Sequence, residues 1–303
     1  MKNEHSLLVA SQRVAWQDYL ALCKPKVVLV MLITAAVGML LAVEGAPPLD
    51  KVIYGLVGIA LASGSAAAIN HVMDRKIDER MARTKGRPLP QGKLSPQQAL
   101  TFAALIGIAG ISLLTILVNP LTAWLTVAAL MGYAVIYTVW LKRATPQNIV
   151  IGGIAGAAPP LLGWTAVTGT IEPNALLLVL IIFAWTPPHF WALCIARIDD
   201  YRKADVPMLP VTHGIAYTRI QIALYSLLMV ITTLFPFMTG MSGIIYLCLV
   251  TLINIRFMYW VYKLWSGIAE IPMKLFLCSI NYIMLLFMIL LVDHYLQDVL
   301  ISA

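Results

Sequence analysis

The sequence predicts an all-α polytopic membrane protein, with nine transmembrane helices around a central cavity and charged loops on the cytoplasmic side. Three observations carry that expectation. The 303 residues are 60% hydrophobic and only 12% charged, with a mean hydropathy of +0.85, which is about half the charge of an ordinary soluble domain. Apolar runs of about 20 residues, the length that crosses a bilayer, recur along the chain. The charges fall almost wholly in alternate gaps between those runs.

Taken in order, residues 1–24 read as a cytoplasmic amino-terminal arm with no cleavable leader. Within it Val14, Trp16, Tyr19 and Leu20 would form an interfacial helix. Residues 25–303 read as the intramembrane unit, with spans near 25–43, 52–73, 98–117, 121–140, 148–168, 174–194, 217–237, 243–262 and 273–292. Val118-Asn119-Pro120 is the tight turn between the third and fourth.

With the amino terminus in the cytoplasm, loops after even-numbered spans also lie there. That assignment collects 20 of the 21 Lys and Arg on one side, leaving Lys51 alone on the other. The bias orients the chain N-in and C-out, in a bacterial inner membrane. The net charge of +7 is thereby explained by topology rather than by nucleic acid, since the basic residues interrupt apolar runs instead of forming a solvated patch. Cys23, Cys194, Cys248 and Cys278 stand singly in or beside apolar segments and read as small hydrophobes.

Charge concentrates in one stretch, Asn70-His71-Val72-Met73-Asp74-Arg75-Lys76-Ile77-Asp78, continuing through Arg83-Thr84-Lys85-Gly86-Arg87-Pro88-Leu89-Pro90. Asn70, Asp74 and Asp78 are four apart, so on a helix they rise along one face, about 6 Å per step. Two carboxylates and an amide oxygen in line suit a hard divalent cation that shares its coordination with phosphates, which points to Mg2+. Arg83, Lys85 and Arg87 would hold the same phosphates from another side. The plainer alternative pairs Asp74 and Asp78 with Arg75, Lys76 or Arg80 on a solvated helix end. The carboxylates begin at the end of an apolar span, where ionisable groups are costly and usually functional, which favours the metal reading.

A second acidic loop, Asp199-Asp200-Tyr201-Arg202-Lys203-Ala204-Asp205, follows the sixth span and so lies on the same membrane face. Its carboxylates would bind a further metal or lock the loop through local ion pairs. The two loops form a loose internal echo, of the kind that places a site between halves.

The stretch NxxxDxxxD followed by RTxxRPLP resembles the first aspartate-rich motif of the UbiA superfamily of intramembrane prenyltransferases. The resemblance runs over nearly the whole chain. It takes in Lys24-Pro25-Lys26-Val27-Val28, the segment Tyr137–Asn148 and the segment Gly152–Trp164, the last two resembling the superfamily's haem-farnesylating branch. Trp185-Thr186-Pro187-Pro188-His189-Phe190-Trp191 and the DYxxAxVPMLP segment at Asp200–Pro210 are the most specific to that branch. Quinone-type members carry a fuller second aspartate motif, whereas this chain has adjacent Asp199 and Asp200 and then Asp205.

The resemblance implies a reaction between farnesyl diphosphate and haem b. Asn70, Asp74, Asp78, Asp199 and Asp200 would hold Mg2+, with Asn70, Asp74, Asp78 and Asp200 catalytic. Arg83, Lys85, Arg87, Lys142 and Lys203 would bind diphosphate, although Lys142 and Arg143 also read as topology determinants. Trp185 and His189 would contact haem, and Trp164, Phe190 and Trp191 would wall the reacting cation from water. The product would pass to a haem A synthase or to terminal oxidase assembly.

For His189 two readings stand: a hydrogen-bonded residue filling a kink made by Pro187 and Pro188, or a haem contact. His71 points about 100° away from Asn70 and reads as an interfacial or packing residue. Gly152, Gly153, Gly156 and Gly163 read first as close helix contact. Two rival functions remain: a quinone-type aromatic prenyltransferase, and a carrier or channel with a charged vestibule. A carrier should show polar residues leading across the bilayer, and here the charge stops at one face.

Overall fold

The structure, a computed structural model, describes residues 15–302, all helix, turn and loop with no strand among them. Val14 and the remainder of the expected arm before it lie outside the described residues. Ten helices organise the chain: α1 Trp16–Leu22, α2 Pro25–Leu41, α3 Leu49–Met73, α4 Pro96–Val118, α5 Pro120–Ala144, α6 Asn148–Thr168, α7 Pro173–Ala196, α8 Gly214–Met238, α9 Ile244–Ser266 and α10 Ile271–Gln297. The eight from α3 to α10 are each long and apolar enough to cross a membrane. The 17-residue α2 reaches that length only together with α1, from which it bends by 54°. The expected nine spans are therefore met with α1 and α2 taken as one broken span.

Several boundaries follow from local chemistry. Ser95 caps α4 reciprocally with Gln98, its Oγ accepting from Gln98 N at 3.1 Å while its own N–H reaches Gln98 Oε1 at 2.9 Å. Pro96 follows at the first helical position, where its missing N–H costs nothing. Asn119 makes the tight turn before α5, its Oδ1 accepting from Thr122 N at 2.9 Å and its Nδ2 donating to Thr165 O at 2.8 Å. The outlying cation Lys51 donates to the Leu117 and Val118 carbonyls at 3.2 and 2.7 Å, capping the carboxyl end of α4.

One departure from plain α geometry matters for the site. Residues Gly132–Leu141 of α5 form a π-helix, with i→i+5 bonding that widens the turn. Pro187 and Pro188 of α7, expected to kink it, lie inside one unbroken helix.

Glycines let backbones touch where α2 meets α6. A Cβ on Gly38 would come within 2.2 Å of the Pro160 carbonyl oxygen, and one on Gly163 would lie 1.9 Å from that of Ala35. The main core gathers α7, α8, α9 and α10 around Leu178, Ile181, Trp191, Met229, Phe257 and Phe287. Outward faces keep large apolar residues such as Ile116, Trp124 and Tyr262 exposed, as a lipid-facing surface requires. Asp293, buried in α10, is accounted for by capping: it accepts from Gly243 N at 2.7 Å and Tyr246 N at 2.9 Å at the start of α9.

Candidate active site

The site assembles where α3 ends beside the π segment of α5. Asn70, Asp74 and Asp78 are all buried, exposed by only 2–3%. Each is held by a residue from elsewhere in the chain. Lys24, in the break between α1 and α2, donates from Nζ to Asn70 Oδ1 at 2.5 Å and lies 3.4 Å from Tyr133 Oη. Asn70 Nδ2 donates to Thr138 Oγ1 at 3.1 Å and to Asp74 Oδ2 at 2.9 Å. Lys142 Nζ meets that same Asp74 oxygen at 2.5 Å. Arg87 Nη1 donates to Asp78 Oδ2 at 2.7 Å.

These contacts form a ladder along α5, with Lys24 from the α1–α2 break at Tyr133, Asn70 of α3 at Thr138, and Asp74 at the end of α3 at Lys142. In an α-helix, residues five apart such as Tyr133 and Thr138 would lie about 140° apart. The π turn brings them to one side, and Thr138 Oγ1 donates to the Tyr133 carbonyl at 2.8 Å. Tyr137 stacks on Tyr133 with centroids 5.8 Å apart and is seated on Gly152, where a Cβ would approach its ring to 2.2 Å.

The segment after α3 is wound turn upon turn. Buried Thr84 donates from Oγ1 to the Asp78 carbonyl at 3.1 Å, and backbone bonds run from Thr84 and Lys85 to Met81 and from Arg87 to Thr84. This winding brings Arg83 and Arg87 to a cleft of about 400 Å3 lined by Ala21, Lys24, His71, Arg83, Gly86, Arg87 and Pro88.

A divalent cation fits the donor set. Asp74 Oδ1 is buried with no hydrogen-bond partner, an acceptor left over after its sister oxygen has taken two donors. Unpaired buried carboxylate oxygens are costly, and a hard cation is a natural partner for one. Among the described residues no three His, Cys, Asp or Glu converge on one point, so the set is two carboxylates and an amide, with room for phosphate oxygens.

The second acidic loop is placed differently. Asp199 is exposed and pairs locally with Arg202 at 3.0 Å, and Lys203 is exposed on the same turn. Asp205, at φ 53°, reaches Arg80 at 3.0 Å and ties the two loops together at the surface. Asp200 is half-buried. Tyr201 is buried, and burial pushes its phenol up. Lys85 is exposed outside the cleft, while Arg143 Nη2 caps the Met73 carbonyl at 3.1 Å.

His189 is buried in α7, its ring stacked between Trp185 at 4.2 Å and Phe276 at 4.5 Å, with Phe190 at its edge. Its Nδ1 lies 2.6 Å from Ser279 Oγ, whose hydroxyl donates to the Phe276 carbonyl at 2.6 Å. The Ser279 oxygen is then the acceptor for Nδ1–H, which puts the imidazole lone pair on Nε2. Trp185 Nε1 donates to the Ser279 carbonyl at 2.8 Å, fixing the sandwich.

Sequence reasoning missed Lys24, Tyr133 and Thr138 as site residues. The signal for Lys24 is a cation directly before Pro25 at the edge of an apolar run.

A family model for the UbiA prenyltransferase family matches residues 31–289. The chain is 56% identical over 297 residues to a protoheme IX farnesyltransferase of Hahella chejuensis, covering 98% of each chain. It is 58% identical over 283 residues to a protoheme IX farnesyltransferase of Legionella pneumophila (strain Paris), covering 93% of this chain and 96% of the other. Of solved structures, one of a digeranylgeranylglyceryl phosphate synthase aligns with a TM-score of 0.77 at 21% identity, over 92% of this chain and 98% of that one. A UbiA homologue from Archaeoglobus fulgidus bound to DMAPP and Mg2+ aligns with a TM-score of 0.66 at 16% identity, over 89% and 99%. At those identities the two structures speak to the fold.

Proposed function

The chain belongs to the UbiA prenyltransferase family, and from that premise we propose that it farnesylates haem b to haem O. One observation carries the reading: 56% identity along 98% of both chains to a protein named for that reaction. The buried ladder supports its diphosphate half.

In this reaction the C1–O bond of farnesyl diphosphate breaks and diphosphate leaves with the electron pair. The terminal carbon of the haem 2-vinyl group bonds to C1. Water adds at the inner vinyl carbon and releases a proton, giving the hydroxyethylfarnesyl side chain.

The chain's part is mainly electrostatic. Without substrate, Lys24, Lys142 and Arg87 are held by Asn70, Asp74 and Asp78. An incoming diphosphate competes for these cations and for Arg83, and as they turn to its oxygens the amide and carboxylate oxygens are released. Asn70, Asp74 and Asp78 would hold Mg2+ with them. Bound there, Mg2+ would neutralise charge developing on the departing diphosphate. Trp185 and Phe190, beside His189, would keep water from the allylic cation until the vinyl group has reacted, whereas Trp191 is packed in the core against Tyr225. His189, with its lone pair on Nε2, is the haem contact of this reading, an iron ligand held by Ser279. Asp200, half-buried, and Lys203 would act from the second loop.

Residues 25–303 form the intramembrane unit in this reading. The charged end of the bundle faces the cytoplasm of a bacterial inner membrane, with the amino terminus inside and the carboxyl terminus outside. The product would supply a haem A synthase or terminal oxidase assembly.

The test is mass spectrometry of purified protein incubated with haem b, farnesyl diphosphate and Mg2+. A hydroxyethylfarnesyl haem is the expected product. No such product, but prenylation of an aromatic acid acceptor, would move the chain to the quinone-type branch.

A further inference from the structure

His71 follows Asn70 on α3 but stands about 100° round the helix from it, off the ladder face. It is buried to 2% exposure, and both of its ring nitrogens lack a hydrogen-bond partner. An imidazole in either neutral tautomer carries one N–H and one lone pair. A structural histidine uses at least one of them, because leaving a buried donor or acceptor unmade costs stability. His71 uses neither, and it lines the cleft that it shares with Lys24, Arg83 and Arg87. The partner exchange described above gives it no part.

Three cations around one cleft attract an anion but repel one another, and a fourth charge would deepen that repulsion. A neutral N–H adds a directed hydrogen bond to a phosphate oxygen at no such cost. Resting on the diphosphate reading of the site, we propose that His71 is a direct hydrogen-bond donor to the substrate diphosphate, through the ring N–H that it leaves unpaired beside the cleft. It is a binding residue, placed beside the candidate metal ligands on the same helix and facing the cationic wall instead of the carboxylates.

The test uses full-length detergent-solubilised protein with Mg2+ and inorganic pyrophosphate as the probe, read by calorimetry. His71→Phe keeps a flat ring and removes both nitrogens, while His71→Asn and His71→Gln return an amide N–H near one or the other nitrogen. We expect His71→Phe to weaken pyrophosphate binding by about tenfold or more, the size of one lost hydrogen bond to an anion. At the same time the ligand-free melting temperature should rise, because two unsatisfied polar atoms are gone. Asn or Gln should restore binding to within about threefold, and KM for farnesyl diphosphate should follow the same order while KM for haem stays put.

Unchanged pyrophosphate affinity in His71→Phe overturns the proposal and leaves the diphosphate reading standing. Failure of the wild-type protein to bind Mg-pyrophosphate overturns both. If His71→Phe does not fold, 15N spectra of histidine-labelled wild-type protein decide. Pyrophosphate must then move the resonance of one of the five histidines, the one absent from whichever Asn or Gln variant folds, and an unmoved resonance overturns the proposal.

Discussion

Lys142 Nζ sits 2.5 Å from Asp74 Oδ2, across 68 residues of sequence, with the two side chains only 14% and 3% exposed. Removing one partner of so buried a pair strands the other charge. Asp74→Asn is expected to abolish turnover and to destabilise the protein by about 3–5 kcal/mol. The double variant Asp74→Asn, Lys142→Met should recover much of that stability and none of the activity. Thermal unfolding in detergent and haem product formation separate the two effects, and retained turnover in Asp74→Asn would refute the metal role.

Asp78 stands under Arg87 in the same manner, at 2.7 Å. Chelation of divalent cations by EDTA should stop product formation and added Mg2+ should restore it. The absorption spectrum of bound haem should not change if, as proposed, the carboxylates act at the diphosphate end alone. Turnover that survives chelation would argue against cation use.

Ser279 sets the tautomer of His189 through the 2.6 Å contact to Nδ1. His189→Ala should alter the haem absorption spectrum. Ser279→Ala, which removes only the orienting oxygen, should shift the spectrum in the same direction by a smaller amount. An unchanged spectrum in His189→Ala would leave the residue as a structural element of α7.

Gly163 lies against the backbone of α2, where an added Cβ would stand 1.9 Å from the Ala35 carbonyl oxygen. Backbone cannot yield as a side-chain tip can. Gly163→Ala is expected to cost at least the 1–3 kcal/mol typical of overfilled cores, read as a lower melting temperature. Gly156, with nothing within 4 Å of its would-be Cβ, should accept alanine with little loss and serves as the control.

Much of this was legible in the residues. The four-residue spacing predicts Asn70, Asp74 and Asp78 on one helix face; in the structure Asn70 is in the last turn of α3, Asp74 caps it and Asp78 lies in the short helix Arg75–Arg80 that follows, with all three buried. The charge bias marked which loops share an end, and Arg80 and Asp205 do meet there. What stayed hidden depends on a turn that hydrophobic periodicity does not report. The residues Gly132–Leu141 look like any apolar span, yet their π geometry is what carries Tyr133, Thr138 and Lys142 to one side. Asp199 was grouped with the metal ligands by adjacency to Asp200, but Arg202 three residues on offers it a nearer partner than any across the site.

On the proposed reading, the ion pairs of the ladder would also make it discriminating. On that reading, an anion that draws Lys24, Lys142 or Arg87 away would leave a carboxylate or amide oxygen bare behind it. A ligand that brings its own divalent cation compensates both losses together. On the proposed reading, three cations against two carboxylates leave the ladder with one net positive charge, and a metal-paired diphosphate would meet the cations and the carboxylates together.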